Sequence, residues 1–353
     1  MATDHTDLVE TLRRLPKAEL HQHLDGAVRP ETAVELAVEA GIDLTLEQAR
    51  QRLVAPERCR DQADLLSYFE LPLQLLQTPA ALRRVATELV QDMATDGVTY
   101  GEIRWAPRLH LEEGLGVGDV LEAVAGGVAE ARTAGGASAP LIGLVVTAMR
   151  SHPPGANVEL AHRAASFGPP VVGFDLAGPE AEYPAPPHAA AFRAAAAAGL
   201  GLTAHAGETP GTERIWEVLE FGISRVAHGA PAVDDERLLE TLRARSITLD
   251  LCPTSNVQAG IVPSLAAHPI TRLHRAGVSV TLSTDDRTVS RTTLSGEMAD
   301  VAIATGMTAE ELAEIAINGF RRGFSSPLEL AEPRAEAARA WHAWTATRNP
   351  LPA

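Results

Sequence analysis

The sequence is poor in cysteine and nearly devoid of lysine. Cys59 and Cys252 are its only cysteines, too few for a disulfide framework or a thiolate metal cage. Lys17 is the one lysine among 30 basic residues, and the rest are arginines. That excludes mechanisms needing a lysine deeper in the chain, such as a Schiff base or a carbamylated lysine bridging two metals. No apolar run is long enough to span a bilayer. The first twenty residues carry Asp4, Asp7 and Glu10 and no apolar stretch, unlike a secretory signal. Basic residues are also outnumbered, 30 against 46 acidic ones, for a formal charge of −16. Nucleic acid and anionic membrane surfaces, which need basic patches, are therefore not expected partners. A cytoplasmic location with small-molecule or protein partners is the default expectation, and the oligomeric state is left open.

What the 353 residues do contain is an alternation, with 45% hydrophobic content to build a core. Short apolar or β-branched runs predict strands at Glu19–Leu24, Val98–Trp105, Leu141–Ala148, Val171–Leu176, Gly201–His205, Arg225–His228, Ile247–Cys252 and Val278–Ser283. Between them lie helical patterns, for example Ala80–Thr95, Val117–Arg132, His188–Ala198, Glu213–Phe221 and Glu236–Arg245, most ending at Gly, Pro or Asp. Eight strands, each followed by a helix, are the pattern of an α/β fold closed into a (β/α)8 TIM barrel. An open doubly wound sheet would show a Gly-rich turn after its first strand, and here that turn reads His23-Leu24-Asp25-Gly26-Ala27. Residues 30–78 are too long for one helix and predict extra helices over the barrel mouth. Residues 308–348 predict two or three closing helices, and the Pro/Ala-rich stretch 179–187 a loop. With no linker or repeat in view, residues 1–353 are expected to form one domain.

In such a barrel, chemistry collects at the C-terminal ends of the strands. The residues there are His21 and His23 on the first strand, His205 and Glu208 after the fifth, His228 after the sixth, and Asp285 with Asp286 after the eighth. His21 and His23 are two apart on a strand, so both point to one face. A shared divalent metal would satisfy both lone pairs, although two separately hydrogen-bonded core histidines are the alternative. His205 suits a third nitrogen ligand, and Glu208, past a glycine, suits a group reaching into the same cavity. His228 by itself reads equally as an ordinary strand-end histidine, and Asp285-Asp286 as a solvated loop or helix cap. His5, His110, His152, His162, His188, His268, His274 and His342 fall on helices or loops and are taken as structural. Nitrogen-rich ligation with one carboxylate favours zinc over magnesium or calcium. Such a site leaves room for a water whose pKa falls towards neutrality, which points to hydrolysis.

Several stretches, in order, resemble the adenosine deaminase family of amidohydrolase-like metal barrels. They run from Pro16 to Gly26 (PKAELHQHLDG) and from Gly173 to Gly178 (GFDLAG), then from Thr203 to Glu208 (TAHAGE) and from Arg225 to Gly229 (RVAHG). Cys252 to Asn256 (CPTSN) and Ser283 to Asp286 (STDD) complete the set. The similarity covers nearly the whole chain. The resemblance implies that His21, His23, His205 and Asp285 hold one zinc. It implies Glu208 as the proton shuttle to purine N1, which makes C6 electrophilic for attack by hydroxide formed at the zinc. His228 would orient that hydroxide and stabilise charge at the tetrahedral centre. Among the substrate-facing residues, Asp286 would meet N7, the Gly178 amide N3 and Asp25 the sugar 5′-hydroxyl, with His23 beside them.

Two positions depart from the family pattern: Ala227, where glycine is common, and Ser283, where asparagine is often found. They bear on substrate fit rather than on the metal. Relatives acting on free adenine tend to carry Glu at position 25, so Asp25 points to a ribose-bearing substrate. The implied reaction is hydrolysis of adenosine or 2′-deoxyadenosine to the inosine form and ammonia, in purine salvage. The alternatives are a deaminase of a 5′-modified adenosine such as 6-amino-6-deoxyfutalosine, another metal hydrolase on the same barrel, and a non-catalytic barrel serving as a binding module. The His-x-Glu and Pro-Cys-x-x-Cys pattern of cytidine- and tRNA-type zinc deaminases is absent.

Overall fold

Strands buried on both faces tend to read as nearly unbroken apolar runs, as Leu141–Met149 does here, while Lys17–His23 carries its polar residues into the barrel. In the computed structural model, which describes residues 2–347, the eight strands are β1 (Lys17–His23), β2 (Val98–Trp105), β3 (Leu141–Met149), β4 (Val171–Ala177), β5 (Gly201–Ala206), β6 (Arg225–His228), β7 (Thr248–Leu251) and β8 (Ser279–Leu282). Each pairs in parallel with the next, in the order β1 to β8. The ring closes at its mouth. The His23 amide donates to the Asp285 carbonyl at 2.8 Å and the Asp285 amide to the His21 carbonyl at 3.1 Å. The result is the expected (β/α)8 barrel, with strand ends within two residues of the predicted ones.

The surrounding helices follow from amphipathic spacing and capping. Helix Pro79–Thr95 begins with the Thr78 side chain accepting from the Ala81 amide and buries Leu82, Val85, Ala86, Leu89, Val90 and Met93 along one stripe. Helix Glu236–Ala244 is capped by Asp235 and buries Leu238, Leu239 and Leu242. Between β1 and β2, four helices precede helix Pro79–Thr95, at Pro30–Glu39, Leu46–Leu53, Gln62–Leu66 and Glu70–Leu75. The last two lean over the mouth, where Gln62, Leu65, Leu66, Phe69 and Leu73 line the central cavity. Two helices close the chain, Ala309–Arg322 and Pro327–Thr345; Arg348, at the end of the predicted closing stretch, lies outside the described residues. Among the described residues no helix is long and apolar enough to cross a membrane.

The floor of the barrel is charged. Arg225 pairs with Glu102 and, at 2.9 Å, with Asp250, while Arg104 lies 3.4 Å from Asp175, and all five are fully buried. Lys17 is spent on structure: its Nζ donates to the Leu12 and Leu15 carbonyls, and burial lowers its pKa to about 8. Phe324 seals the floor from below, with the Arg225 guanidinium 3.7 Å from its ring centre. This close approach requires glycine at 201, because a Cβ there would lie 2.2 Å from the Phe324 ring. Gly201→Ala is expected to cost about 1–3 kcal/mol through overpacking. The check is chemical denaturation of both proteins; equal midpoints would show that Phe324 can simply move aside.

Candidate metal and deaminase site

The C-terminal ends of β1, β5 and β6 and the loop after β8 bring side chains from distant parts of the chain to one point above the barrel floor. His23 Nε2 lies 3.2 Å from His21 Nε2 and 3.2 Å from His205 Nε2. Asp285 Oδ1 lies 3.0 Å from His21 Nε2 and 3.3 Å from His23 Nε2. Burial, helped by Arg104, lowers the His21 pKa well below its ordinary value, and burial takes His23 down to about 3. At that spacing the nitrogens need either a shared proton or an ion between them. Ligands about 2.0–2.1 Å from a tetrahedral zinc stand about 3.3–3.4 Å apart, so the residues present fit such an ion.

His228 competes with His23 for a place in this cluster. His21, His205, His228 and Asp285 can each offer one atom within 4.8 Å of the others. The shorter spacings belong to His23. His228 Nε2 stands 3.7 Å from Asp285 Oδ2 and 3.5 Å from Glu208 Oε1, and it is buried with no hydrogen-bond partner. His228 and Asp285 also share a backbone feature, positive φ angles of 69° and 64°. Non-glycine residues adopt that conformation at a cost of about 1–3 kcal/mol each, and such strain gathers at functional sites.

The cluster opens into a cavity of about 260 Å³ lined by His23, Asp25, Glu208, Asp285, Asp286 and Gly178, with an apolar wall including Leu65, Phe69, Leu109 and Met149. All the residues singled out in the sequence meet at this cavity or at the imidazole cluster beside it. No arginine or lysine is among its lining residues. A wider groove of about 1020 Å³ runs past Arg50 and Arg291 on the outside and holds none of them. Burial raises Glu208 to about 7, with Glu180 and Asp285 adding to the shift, and Gln62 hydrogen-bonds its side chain. Asp25 is raised to about 6 by burial, and Asp286 well above the usual range by burial and the facing Asp285, Asp25 and Glu208. Gly26 makes room for Asp286, since a Cβ at 26 would fall 1.8 Å from Asp286 Oδ1.

Supporting residues emerge that the sequence did not single out. Asp175 holds His205 Nδ1 at 3.1 Å and accepts from Thr147, the carboxylate–imidazole contact that orients metal-binding histidines. Burial works to raise its pKa, but His205 and Arg104 hold it far below the usual range. Glu180 accepts from the Gly207 and Thr209 amides on either side of Glu208, clamping that loop. Asn256 contacts His228 Nδ1 at 3.1 Å, and His268 contacts Asn256 at 3.1 Å. Asp175 was detectable as a charge inside a buried strand. Gln62 carried no signal at all.

A family model described as Adenosine deaminase matches residues 16–332. An adenosine deaminase of Mycobacterium marinum is 39% identical over 335 residues, spanning 90% of this chain and 92% of that one. Among solved structures, an adenine deaminase from Arthrobacter aurescens is similar with a TM-score of 0.85 at 26% identity, over 92% of this chain and 98% of that one. An amidohydrolase from Burkholderia ambifaria, solved with zinc bound, gives a TM-score of 0.86 at 25% identity, over 96% and 94%. With the barrel, the imidazole cluster and these matches together, the chain belongs to the adenosine deaminase family and is a hydrolytic deaminase.

Proposed function

We propose that this enzyme hydrolyses the 6-amino group of adenosine and 2′-deoxyadenosine, with one zinc held by His21, His23, His205 and Asp285. The observation that carries the reading is a pair of carboxyl groups, Glu208 and Asp286, both pushed towards the protonated form and both facing one small cavity beside the imidazole cluster. Purine N1 and N7 are acceptors, so each calls for a donor. An ionised carboxylate could serve neither, and a buried neutral one serves both. Residues 1–353 are taken as one domain serving this reaction, of which Met1 and residues 348–353 lie outside the described part.

When bound, the metal supplies a water acidic enough to attack carbon at neutral pH. The Asp285 carboxylate suits the ion, because burial works to raise its pKa but the facing His21 and His228 imidazoles hold it well below the usual range. Glu208 gives its proton to N1, which draws charge away from C6, and the same carboxylate can then accept a proton from the water. His228 Nε2, buried and unpartnered, faces the space where the new oxygen develops charge. Asp286 donates to N7, and the Gly178 amide faces N3. The lid residues Gln62, Leu65 and Phe69 shield the reacting atoms from bulk water.

Asp25 selects the sugar. It has a buried oxygen without a partner, and its pKa of about 6 leaves it mostly ionised at neutral pH and ready to accept from a 5′-hydroxyl. A 5′-phosphate, or any acidic 5′ extension, would meet the ionised Asp25 in a cavity lined by no arginine or lysine that could neutralise it. The cavity is also at the small end of ligand sites, which run about 300–1000 Å³. Both facts favour a nucleoside over a nucleotide or an acidic 5′-modified adenosine.

Four outcomes are expected. Absorbance assays should show turnover of adenosine and 2′-deoxyadenosine and at least about 10²-fold less of the 5′-monophosphate; comparable rates on both would defeat the charge argument. Asp25→Ala should weaken use of adenosine more than use of free adenine. Glu208→Gln should keep its metal and lose about 10³-fold in kcat, within the usual 10²–10⁴ span for a lost proton-transfer group, and near-normal turnover would remove Glu208 from that role. Asp175→Asn should weaken metal binding by about 10–100-fold, measured by competition with a chelator, and unchanged affinity would remove Asp175 from its orienting role.

A further inference from the structure

Which of the four imidazoles can act as ligands depends on where their protons sit, and the structure decides this for His228 from outside the cavity. The chain of contacts begins at a donor of fixed sense. The Ile270 backbone N–H donates to His268 Nδ1 at 3.2 Å. A backbone N–H cannot accept, so His268 Nδ1 has no proton and the proton of this ring is on Nε2. His268 is therefore neutral, in line with burial lowering its pKa to about 3.

His268 Nε2 faces Asn256 Oδ1 at 3.1 Å. The N–H must donate there, which fixes the amide so that its oxygen is towards His268. The other end, Asn256 Nδ2, meets His228 Nδ1 at 3.1 Å. An amide nitrogen only donates, so His228 Nδ1 must accept, and the His228 proton is left on Nε2. All three side chains are buried, so no bulk water offers a competing partner.

We propose that His268 and Asn256 are positioning residues that lock His228 in its Nε2–H form. His228 then enters the cavity as a neutral hydrogen-bond donor, and neither a metal ligand nor a base. The lock explains why His228 Nε2 is set back, 3.5 Å from Glu208 and 3.7 Å from Asp285, while the nitrogens of His21, His23 and His205 crowd together at 3.2 Å. It also separates the two possible sets of ligands, one with His23 and one with His228. A donor of fixed sense is what a developing oxyanion needs, and a base is not. Proton removal from the water then falls to Glu208 alone. The consequence for catalysis rests on the proposed deaminase chemistry, whereas the tautomer does not.

The experiment is nuclear magnetic resonance of metal-free protein labelled with 15N in histidine, reading long-range proton–nitrogen correlations from each ring. The His228 signal is identified as the one lost in His228→Gln. It should show a protonated Nε2 and a bare Nδ1 at neutral pH. In Asn256→Asp the carboxylate can only accept, so the proton should move to Nδ1 and the pattern invert. In His268→Leu the amide loses its fixed sense and the His228 pattern should become mixed. His268→Gln, which keeps an N–H towards Asn256, should restore it; this pair carries the comparison if Asn256→Asp does not fold. A wild-type ring protonated on Nδ1 or on both nitrogens, or a pattern indifferent to Asn256→Asp, would overturn the proposal. In zinc-loaded Asn256→Asp, kcat should fall by about 10²–10³, as for a lost oxyanion donor, with KM within a few-fold and zinc retained. Failure of every adenine nucleoside as substrate would sink the proposed function and leave the nitrogen spectra to judge the lock by themselves.

Discussion

Three imidazole nitrogens and one carboxylate oxygen, crowded to 3.0–3.3 Å inside a buried space, are the constraint that organises this molecule. Lone pairs at that distance repel, and burial disfavours relieving the repulsion by charging His21 or His23. The crowding is sustained by supports around the cluster. Asp175 and Arg104 brace His205 from the barrel floor, and the β1–β8 backbone bridge fixes His21, His23 and Asp285 relative to one another. The strained backbone at His228 and Asp285 is tolerated for the same reason, since neighbouring strands over-determine it. A divalent ion would convert the repulsion into coordination.

Charge in the cavity is arranged around that ion. Four carboxyl groups line a space with no facing arginine or lysine, while the cations Arg104 and Arg225 are kept in the floor, paired with Asp175, Glu102 and Asp250. The floor is a closed account in which each buried charge has a partner. The cavity above it is left lined with carboxyl groups, which suits a cation. Burial in that setting pushes Glu208 up to about 7 and Asp286 well above the usual range, and the neighbouring negative charge adds to both shifts.

Much of this was visible in the chain, and the reasons differ by residue. The strands were legible because being covered on both faces makes them continuous apolar runs, as in Leu141–Met149. Their ends were not, because hydrogen bonding to neighbours decides whether Lys17 or Met149 belongs. Helices Pro154–Phe167 and Leu294–Thr305 stood out less: the first puts the polar Asn157 into its buried stripe, and the second has little contrast between faces. His21 and His23 were readable together because a strand repeats every two residues. His268 was assigned to structure, since a histidine in a loop 40 residues beyond His228 reveals nothing of Asn256 between them. Local patterns expose residues that face a site, and leave hidden those that act through a second side chain.

Asp285 and Asp286 show how far neighbours in sequence can be driven apart chemically. Asp285 faces imidazoles and is held ionised, while Asp286 faces Gly26, Asp25 and Glu208 and is pushed to its neutral form. The left-handed backbone at Asp285 makes this possible, because an extended pair would also send its side chains to opposite faces, but one of them out of the cavity. The turn keeps both carboxyl groups within it and gives them different surroundings. Two adjacent and chemically identical groups thereby take opposite protonation states, one fit to hold a cation and the other to donate to a purine nitrogen. Substituting either one must disturb the other, since the charge on Asp285 is among the causes that keep Asp286 protonated.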